Sequence, residues 1–285
     1  MTELLTAQDV IVDFPVRGRR NPPFRALKGV SLRIGAGETV GLVGESGSGK
    51  TTLGRAILGL VRPDSGSITF RGEETVGASP ARRRELTKHM QVIFQDPYSS
   101  LDPTMTVRDT LLEPYLAHGL GGRKDGTAKA RGLIDQVALP TTTLERYPRE
   151  FSGGQRQRVA IARAMMVDPS LVVCDEPVSA LDVSTQTQVI ELLRALQRES
   201  GVAYLFISHD LTLVREISTS VSVIYRGDIV EEGDPEVLGS RPRHDYTKRL
   251  LLSVPVPDPR AQRARREARK ALAGGPVSTG TSQAV

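Results

Sequence analysis

Apolar residues recur along this chain in two rhythms, one of period two and one near 3.6. Near the start, "LLTAQDVIVDFPV" partly alternates, as a half-buried strand does. The segment "RGRRNPPF" then breaks it with charge and two prolines. "ALKGVSLRIGAGETVGLVG" reads as two strands around a glycine turn. The second of these, 38–43, is short, apolar and bounded by glycine, which predicts a buried strand. "KTTLGRAILGL" has helical spacing and ends near Gly59, and "SGSITFRG" and "QVIF" (91–94) predict further strands. From 97 to about 168 the rhythm is helical, with helices expected over 107–116, 128–138 and 155–167. Strands return at 171–174, 202–208 and 221–225, separated by helices at 185–199 and 211–217. Such alternation predicts an α/β fold whose sheet is mainly parallel with helices on both faces, the stretch 97–168 being a helical subdomain inserted into it.

Beyond about residue 253 both rhythms fade. "VPVPDPR" is proline-rich, and the last stretch, "ALAGGPVSTGTSQAV", lacks the apolar density to build a core. One domain over 1–253 and a disordered tail over 254–285 are expected. The tail also accounts for the charge. The chain carries a formal +5, yet "RAQRARREARK" (260–270) alone holds six basic residues against one acidic. The remainder is therefore balanced, which argues against a nucleic-acid-binding surface on the domain. A solvated tail and electrostatic contact with anionic lipid or RNA all fit the basic run. Cys174 is the sole cysteine, which excludes an internal disulfide or a multi-cysteine metal site and fits a reducing cytoplasm. No uninterrupted apolar run reaches the roughly 18 residues of a membrane span. "MTELLTAQDV" has no basic stretch followed by an apolar one, so no secretory signal is expected.

Two segments carry phosphate chemistry. "GESGSGKT" (Gly44, Glu45, Ser46, Gly47, Ser48, Gly49, Lys50, Thr51) follows an apolar strand and opens a helix, the context a phosphate-binding loop requires. Its glycines allow successive N–H groups to face phosphate oxygens, and the helix N-terminus adds a favourable dipole. Lys50 supplies charge for the β- and γ-phosphates, Thr51 a hydroxyl for Mg²⁺, and Thr52 continues the loop into the helix. "LVVCDEP" (171–177) is a central strand ending in two acids. Asp175 suits the Mg²⁺ shell, and Glu176 suits polarising the attacking water. Gln95 and His209 also stand at strand ends on the expected ligand edge. Gln95 is placed to sense Mg²⁺ and water, and His209 to donate to the γ-phosphate. Phe14 or Phe24 is a candidate for stacking on adenine. A second glycine-rich segment, "FSGGQRQRVAIARA" (151–164), also resembles a phosphate grip opening onto a helix.

The series "GESGSGKT", "FQD", "FSGGQ", "LVVCDEP", "SALD" and "SHD" resembles the nucleotide-binding subunit of ATP-binding cassette (ABC) transporters, over roughly residues 4–250. The resemblance implies a P-loop NTPase fold with an N-terminal antiparallel β subdomain. It implies binding of ATP with Mg²⁺ and hydrolysis to ADP and phosphate. In that family two domains pair head to tail. Ser152, Gly153, Gly154 and Gln155 would then grip the γ-phosphate of the partner's ATP, and Asp182 in "SALD" would lie at the dimer interface. Phe151 replaces the family's usual leucine and keeps an apolar anchor. Further segments ("FPV", "IFQDPYSSLDP", "EPVSALDVS", "HDYTKRLLLSVPVPDP") are similar to ATPase subunits of dipeptide and oligopeptide importers, a group shared with nickel and glutathione importers. The implied partners are a second ATPase subunit (a paralogue or a second copy), two transmembrane permease subunits docked near 95–105, and an extracytoplasmic solute-binding protein. The implied location is the cytoplasmic face of the inner membrane. His244-Asp245-Tyr246 stands where the subfamily usually has His-Pro-Tyr. With no cysteine in that region, no iron–sulfur cluster is expected. A DNA-repair ATPase would need a long coiled-coil or zinc-bearing insertion between Thr51 and Phe151, and a two-cassette translation factor a second set of motifs. Neither is present.

Overall fold

A computed structural model describes residues 3–16, 22–96, 100–253 and 263. The expectation for 254–285 lies outside these residues, apart from Arg263. In chain order the described elements are β1 (Glu3–Phe14), β2 (Phe24–Gly35), β3 (Thr39–Val43), α1 (Lys50–Ile57), β4 (Ser65–Phe70), β5 (Glu73–Glu74), α2 (Pro80–His89), β6 (Met90–Ile93), α3 (Val107–Ala117), α4 (Arg123–Gln136), α5 (Gly153–Met165), β7 (Leu171–Asp175), α6 (Val183–Ser200), β8 (Ala203–Ser208), α7 (Leu211–Ile217), β9 (Ser220–Tyr225), β10 (Asp228–Gly233), α8 (Pro235–Ser240) and α9 (Asp245–Ser253).

The strands form two sheets. One runs β2-β1-β4-β5 and is antiparallel throughout; the other runs β10-β9-β3-β8-β7-β6. In the second, every pairing from β9 to β6 is parallel and only the β10 edge is antiparallel. Side chains that alternate along a strand face opposite sides of a sheet. Leu171, Val173, Leu205 and Ile207 therefore join α1 and the antiparallel sheet in one core. Val172, Cys174, Tyr204 and Phe206 join α3 to α7 in the other. Each fully buried leucine or isoleucine contributes roughly 1.5–3 kcal/mol. Because both faces are covered, β7 and β8 read as continuous apolar runs rather than alternating ones. Cys174 sits in this sandwich with no exposed surface, and burial pushes its thiol pKa well up.

The α/β architecture, the N-terminal antiparallel portion and the helical stretch after residue 100 match the sequence expectation. Several elements differ. The helix expected at 128–138 begins at Arg123, because Asp125 accepts from the Gly122 N–H at 3.4 Å and Arg123 pairs with Asp109 at 2.7 Å. The polar α2 was not expected; only Leu86 is buried on it, and Ser79 and Pro80 start it. Nor were β10, α8 and α9. Among the described residues no helix is long and apolar enough to cross a membrane.

Candidate functional site

Backbone pairing delivers the candidate residues to one edge of the parallel sheet. The registers set Val43 beside Ser208, Asp175 beside Ile207 and Ile93 beside Cys174. The residues that follow are the loop 44–49, His209, Glu176 and Gln95, at the carboxyl ends of the strands where such sheets collect ligands. They border a cleft of about 590 Å³ whose walls include Glu45, Ser46, Gly47, Gly49, Lys50, Thr51, Thr52, Gln95, Glu176 and His209. Phe14 and Phe24, cross-strand neighbours on β1 and β2, close one side and are 39% and 57% exposed. Gly44, Ser48 and Asp175 stand behind this lining, Gly44 and Asp175 reaching it through Lys50 and Thr51.

The loop ends at Gly49, which has φ 112 and is followed directly by α1. A Cβ there would lie 2.8 Å from the Ala26 carbonyl oxygen, so a side chain is excluded by both conformation and space. No side chain caps α1, so its first N–H groups remain available to an anion. Lys50 is 4% exposed, and its Nζ donates to the carbonyls of Gly44 (2.8 Å) and Glu45 (3.0 Å). Burial pushes the pKa of this ammonium down, while Glu176, Asp175 and Glu45 push it back up.

Thr51 Oγ1 donates to Asp175 Oδ1 at 3.1 Å. Burial raises the Asp175 pKa, the Thr51 hydrogen bond lowers it, and neighbouring Glu176 raises it again. Glu176 has φ 49, in the left-handed region, and its N–H donates to Ile207 O at 3.0 Å. A non-glycine residue held there costs about 1–3 kcal/mol. The turn aims its carboxylate, only 16% exposed, into the cleft. Oε2 accepts from Gln95 Nε2 at 3.3 Å and faces His209 Nδ1 at 3.2 Å, while Oε1 lies 3.8 Å from Lys50 Nζ. The structure thus brings Lys50, Thr51, Asp175, Glu176, Gln95 and His209 together at one edge of the cleft.

The Thr51 hydroxyl and Asp175 carboxylate are hard oxygen donors in contact, which fits Mg²⁺. Among the described residues no group of three or more acid, His or Cys side chains could hold a metal alone. Mg²⁺ commonly takes one or two protein oxygens and completes its shell with water and substrate phosphates.

The second glycine-rich segment lies elsewhere. Ser152 caps α5, its Oγ accepting from the Gln155 N–H at 3.3 Å while Gln155 Oε1 accepts from the Ser152 N–H at 3.0 Å. Both residues are exposed, Gly153 and Gly154 are half-buried, and none borders the cleft. A Cβ on Gly154 would lie 2.5 Å from Thr185 Cγ2, so the start of α5 rests on the start of α6. Phe151 is buried, with the Arg146 guanidinium 4.6 Å from its ring centre, and so anchors the segment. Asp182 caps α6: Oδ1 accepts from the Thr185 N–H (3.0 Å) and the Ser184 hydroxyl (2.5 Å), and Oδ2 from the Thr185 hydroxyl (2.7 Å). These bonds hold its carboxyl well below the usual range.

Sequence reasoning missed the contribution of α9, which gives Leu250 and Ser253 to the cleft wall. Tyr246, Leu250 and Ser253 fall at i, i+4 and i+7, one face of a helix. That spacing was the available signal.

A profile of the ABC transporter family matches residues 27–179. The glutathione import ATP-binding protein GsiA of Escherichia coli (strain K12) is 46% identical over 267 residues, covering 92% of this chain and 43% of GsiA. GsiA of Shigella boydii serotype 4 gives the same figures, 46% identity over 92% of this chain and 43% of that protein. The chain therefore spans less than half the length of these relatives. Among solved structures, the ATP-binding cassette MJ0796, a dimer in a post-hydrolysis state bound to ADP and Pi, has TM-score 0.72 and 26% identity, covering 81% of this chain and 99% of that one. CbiO1 of Clostridium perfringens, part of the ABC transporter complex cbiONQ, has TM-score 0.73 and 24% identity, covering 85% of this chain and 93% of that one.

Proposed function

The chain belongs to the ABC transporter family, whose ATPases bind ATP with Mg²⁺, and from that premise we propose that it hydrolyses ATP to drive uptake of a small peptide-like solute through separate membrane subunits. The observation that carries the ATPase reading is the Glu176 carboxylate, held among Lys50, Gln95 and His209 one residue beyond the Asp175–Thr51 pair. Lys50 and the N–H groups of α1 bind the triphosphate. Thr51 and Asp175 hold Mg²⁺, which when bound neutralises charge on the phosphates. Glu176 orients and polarises the attacking water, its carboxylate held in place by the hydrogen bond from Gln95. His209 contacts the γ-phosphate, and the Phe14–Phe24 pair takes the adenine.

The exposed α5 N-terminus serves a second molecule. Ser152 and its two glycines complete the site of a partner ATPase subunit, a paralogue or another copy, and Asp182 shapes the loop between the two sites. The dimeric MJ0796 cassette supports this arrangement. Closing on two ATP molecules moves the membrane subunits and hydrolysis reopens the pair. A groove of about 450 Å³ bordered by Met105, Asp109, Leu112, Glu113 and Tyr147 suits the membrane subunit; residues 97–99 of the expected docking stretch lie outside the described residues. Similarity to GsiA supports a peptide-class cargo, glutathione or di- and oligopeptides, with an extracytoplasmic binding protein selecting it and the chain on the cytoplasmic face of the membrane.

Glu176→Gln keeps the shape of the site and removes the charge. Mg·ATP binding, measured with a fluorescent analogue, should persist, while phosphate release from the assembled transporter falls at least about 100-fold. Turnover near the wild-type rate would overturn the assignment.

A further inference from the structure

The wall of the cleft contributed by α9 does more than enclose space. The Glu45 N–H donates to the Tyr246 hydroxyl at 2.7 Å, across 201 residues of sequence. That N–H and the Gly44 carbonyl belong to one planar peptide unit. Lys50 Nζ donates to that same carbonyl at 2.8 Å. One rigid plane is therefore held on one side by Tyr246 and on the other by the lysine amine.

Tyr246 is itself fixed. Its side chain is 1% exposed, and its ring centroid lies 4.2 Å from that of Tyr225, at the end of β9. The Arg249 guanidinium stands 5.8 Å from the Tyr246 ring centre and 5.9 Å from that of Tyr225. At the start of α9, Glu231 on β10 accepts from the N–H groups of Arg243 (2.7 Å) and His244 (3.0 Å). The His244 imidazole Nδ1 then accepts from the Tyr246 N–H at 3.1 Å. Burial pushes the Tyr246 phenol up to about 12, so it remains a neutral hydroxyl at physiological pH.

We infer that Tyr246 is a positioning residue of the nucleotide site, setting the Gly44–Glu45 peptide plane and through it the resting place of the Lys50 amine. The inference rests on the reading of the cleft as the ATP site. It makes α9 a strut of the phosphate loop rather than a terminal appendage of the sheet.

The test is a double-mutant cycle on the full chain, with Mg·ATP binding measured directly. Tyr246→Phe keeps the ring and its stacking and removes the acceptor, so the protein should melt within a few degrees of wild type. Its dissociation constant should rise about fivefold, the scale of one neutral hydrogen bond. Tyr225→Phe, which trims the other ring of the same stack, should leave binding unchanged. In a Lys50→Ala background the further change Tyr246→Phe should have no effect, because the amine it positions is gone. A purely structural role would give the same loss in both backgrounds, and that result would overturn the inference. So would wild-type affinity in Tyr246→Phe while Lys50→Ala binds weakly. If Lys50→Ala itself binds like wild type, the reading of the cleft fails, and the inference with it.

Discussion

Two helices of this chain open from glycine-rich loops, and they treat their first N–H groups in opposite ways. At α1 the cap is Gly49, which has no side chain to offer, and Lys50 is buried between the loop and two carboxylates. At α5 the cap is Ser152, whose hydroxyl is engaged by the helix and whose own N–H is returned to Gln155. The first is an uncapped helix start that opens into a cleft lined by Glu176, Gln95 and His209. The second is a finished, self-sufficient helix end facing outward. An outward, capped terminus stores little binding energy of its own. In the dimer proposed above, it would meet a ligand that another molecule brings already bound.

Placing bulk at each terminus separates the two roles most sharply. Ser152→Arg should abolish turnover in the assembled transporter, at least about 100-fold given the loss of an oriented γ-phosphate contact, yet leave Mg·ATP binding by its own cleft intact. Lys50→Ala should do the reverse, weakening binding about 10- to 100-fold through loss of a charged hydrogen-bond donor. Equal effects of both changes on equilibrium binding by the isolated chain would dissolve the distinction.

A smaller change tests the claim that Ser152 serves its own helix first. Ser152→Ala should cost about 1 kcal/mol of stability, as for other caps. Thermal unfolding should shift down by about 2–4 °C in a chain of this size. An unchanged melting temperature would mean the capping hydrogen bonds carry no net weight.

The smallest expected effect lies outside both loops. Removing 260–285 should not alter ATP binding or hydrolysis, since the phosphate-loop, Mg²⁺ and signature motifs all precede it in the sequence. If the six basic residues attract anionic lipid, each contributes about 1 kcal/mol near the surface, and that attraction falls with salt. Flotation with phosphatidylserine vesicles at low and high salt should then distinguish full-length from truncated protein. Identical flotation would leave only a solvated tail.

The central strands β3, β7 and β8 were legible because they are short apolar runs buried on both faces, and β3 is also bracketed by Gly37 and Gly44. The chemistry was legible because it clusters at strand ends, where a short motif fixes its own context. What stayed hidden had weak local signals. Helix α2, "PARRRELTKH", has a single buried residue and therefore no apolar stripe; its evidence is the Ser79 cap alone. Strand β10 is a half-exposed edge with two adjacent glutamates. Tyr246 was visible only as part of His244-Asp245-Tyr246, a segment with no assigned role. Its importance comes from a contact with residue 45, which no window of sequence contains.

The burial of Cys174 has a practical side. A thiol with no exposed surface and a raised pKa offers no thiolate to alkylating reagents while the chain is folded. The folded chain is in effect free of reactive cysteine over these 285 residues. A reporter thiol introduced at an exposed position of α2 or α5 would be the one that takes a fluorophore or spin label. Movement of these elements on addition of Mg·ATP could then be followed without first engineering the core.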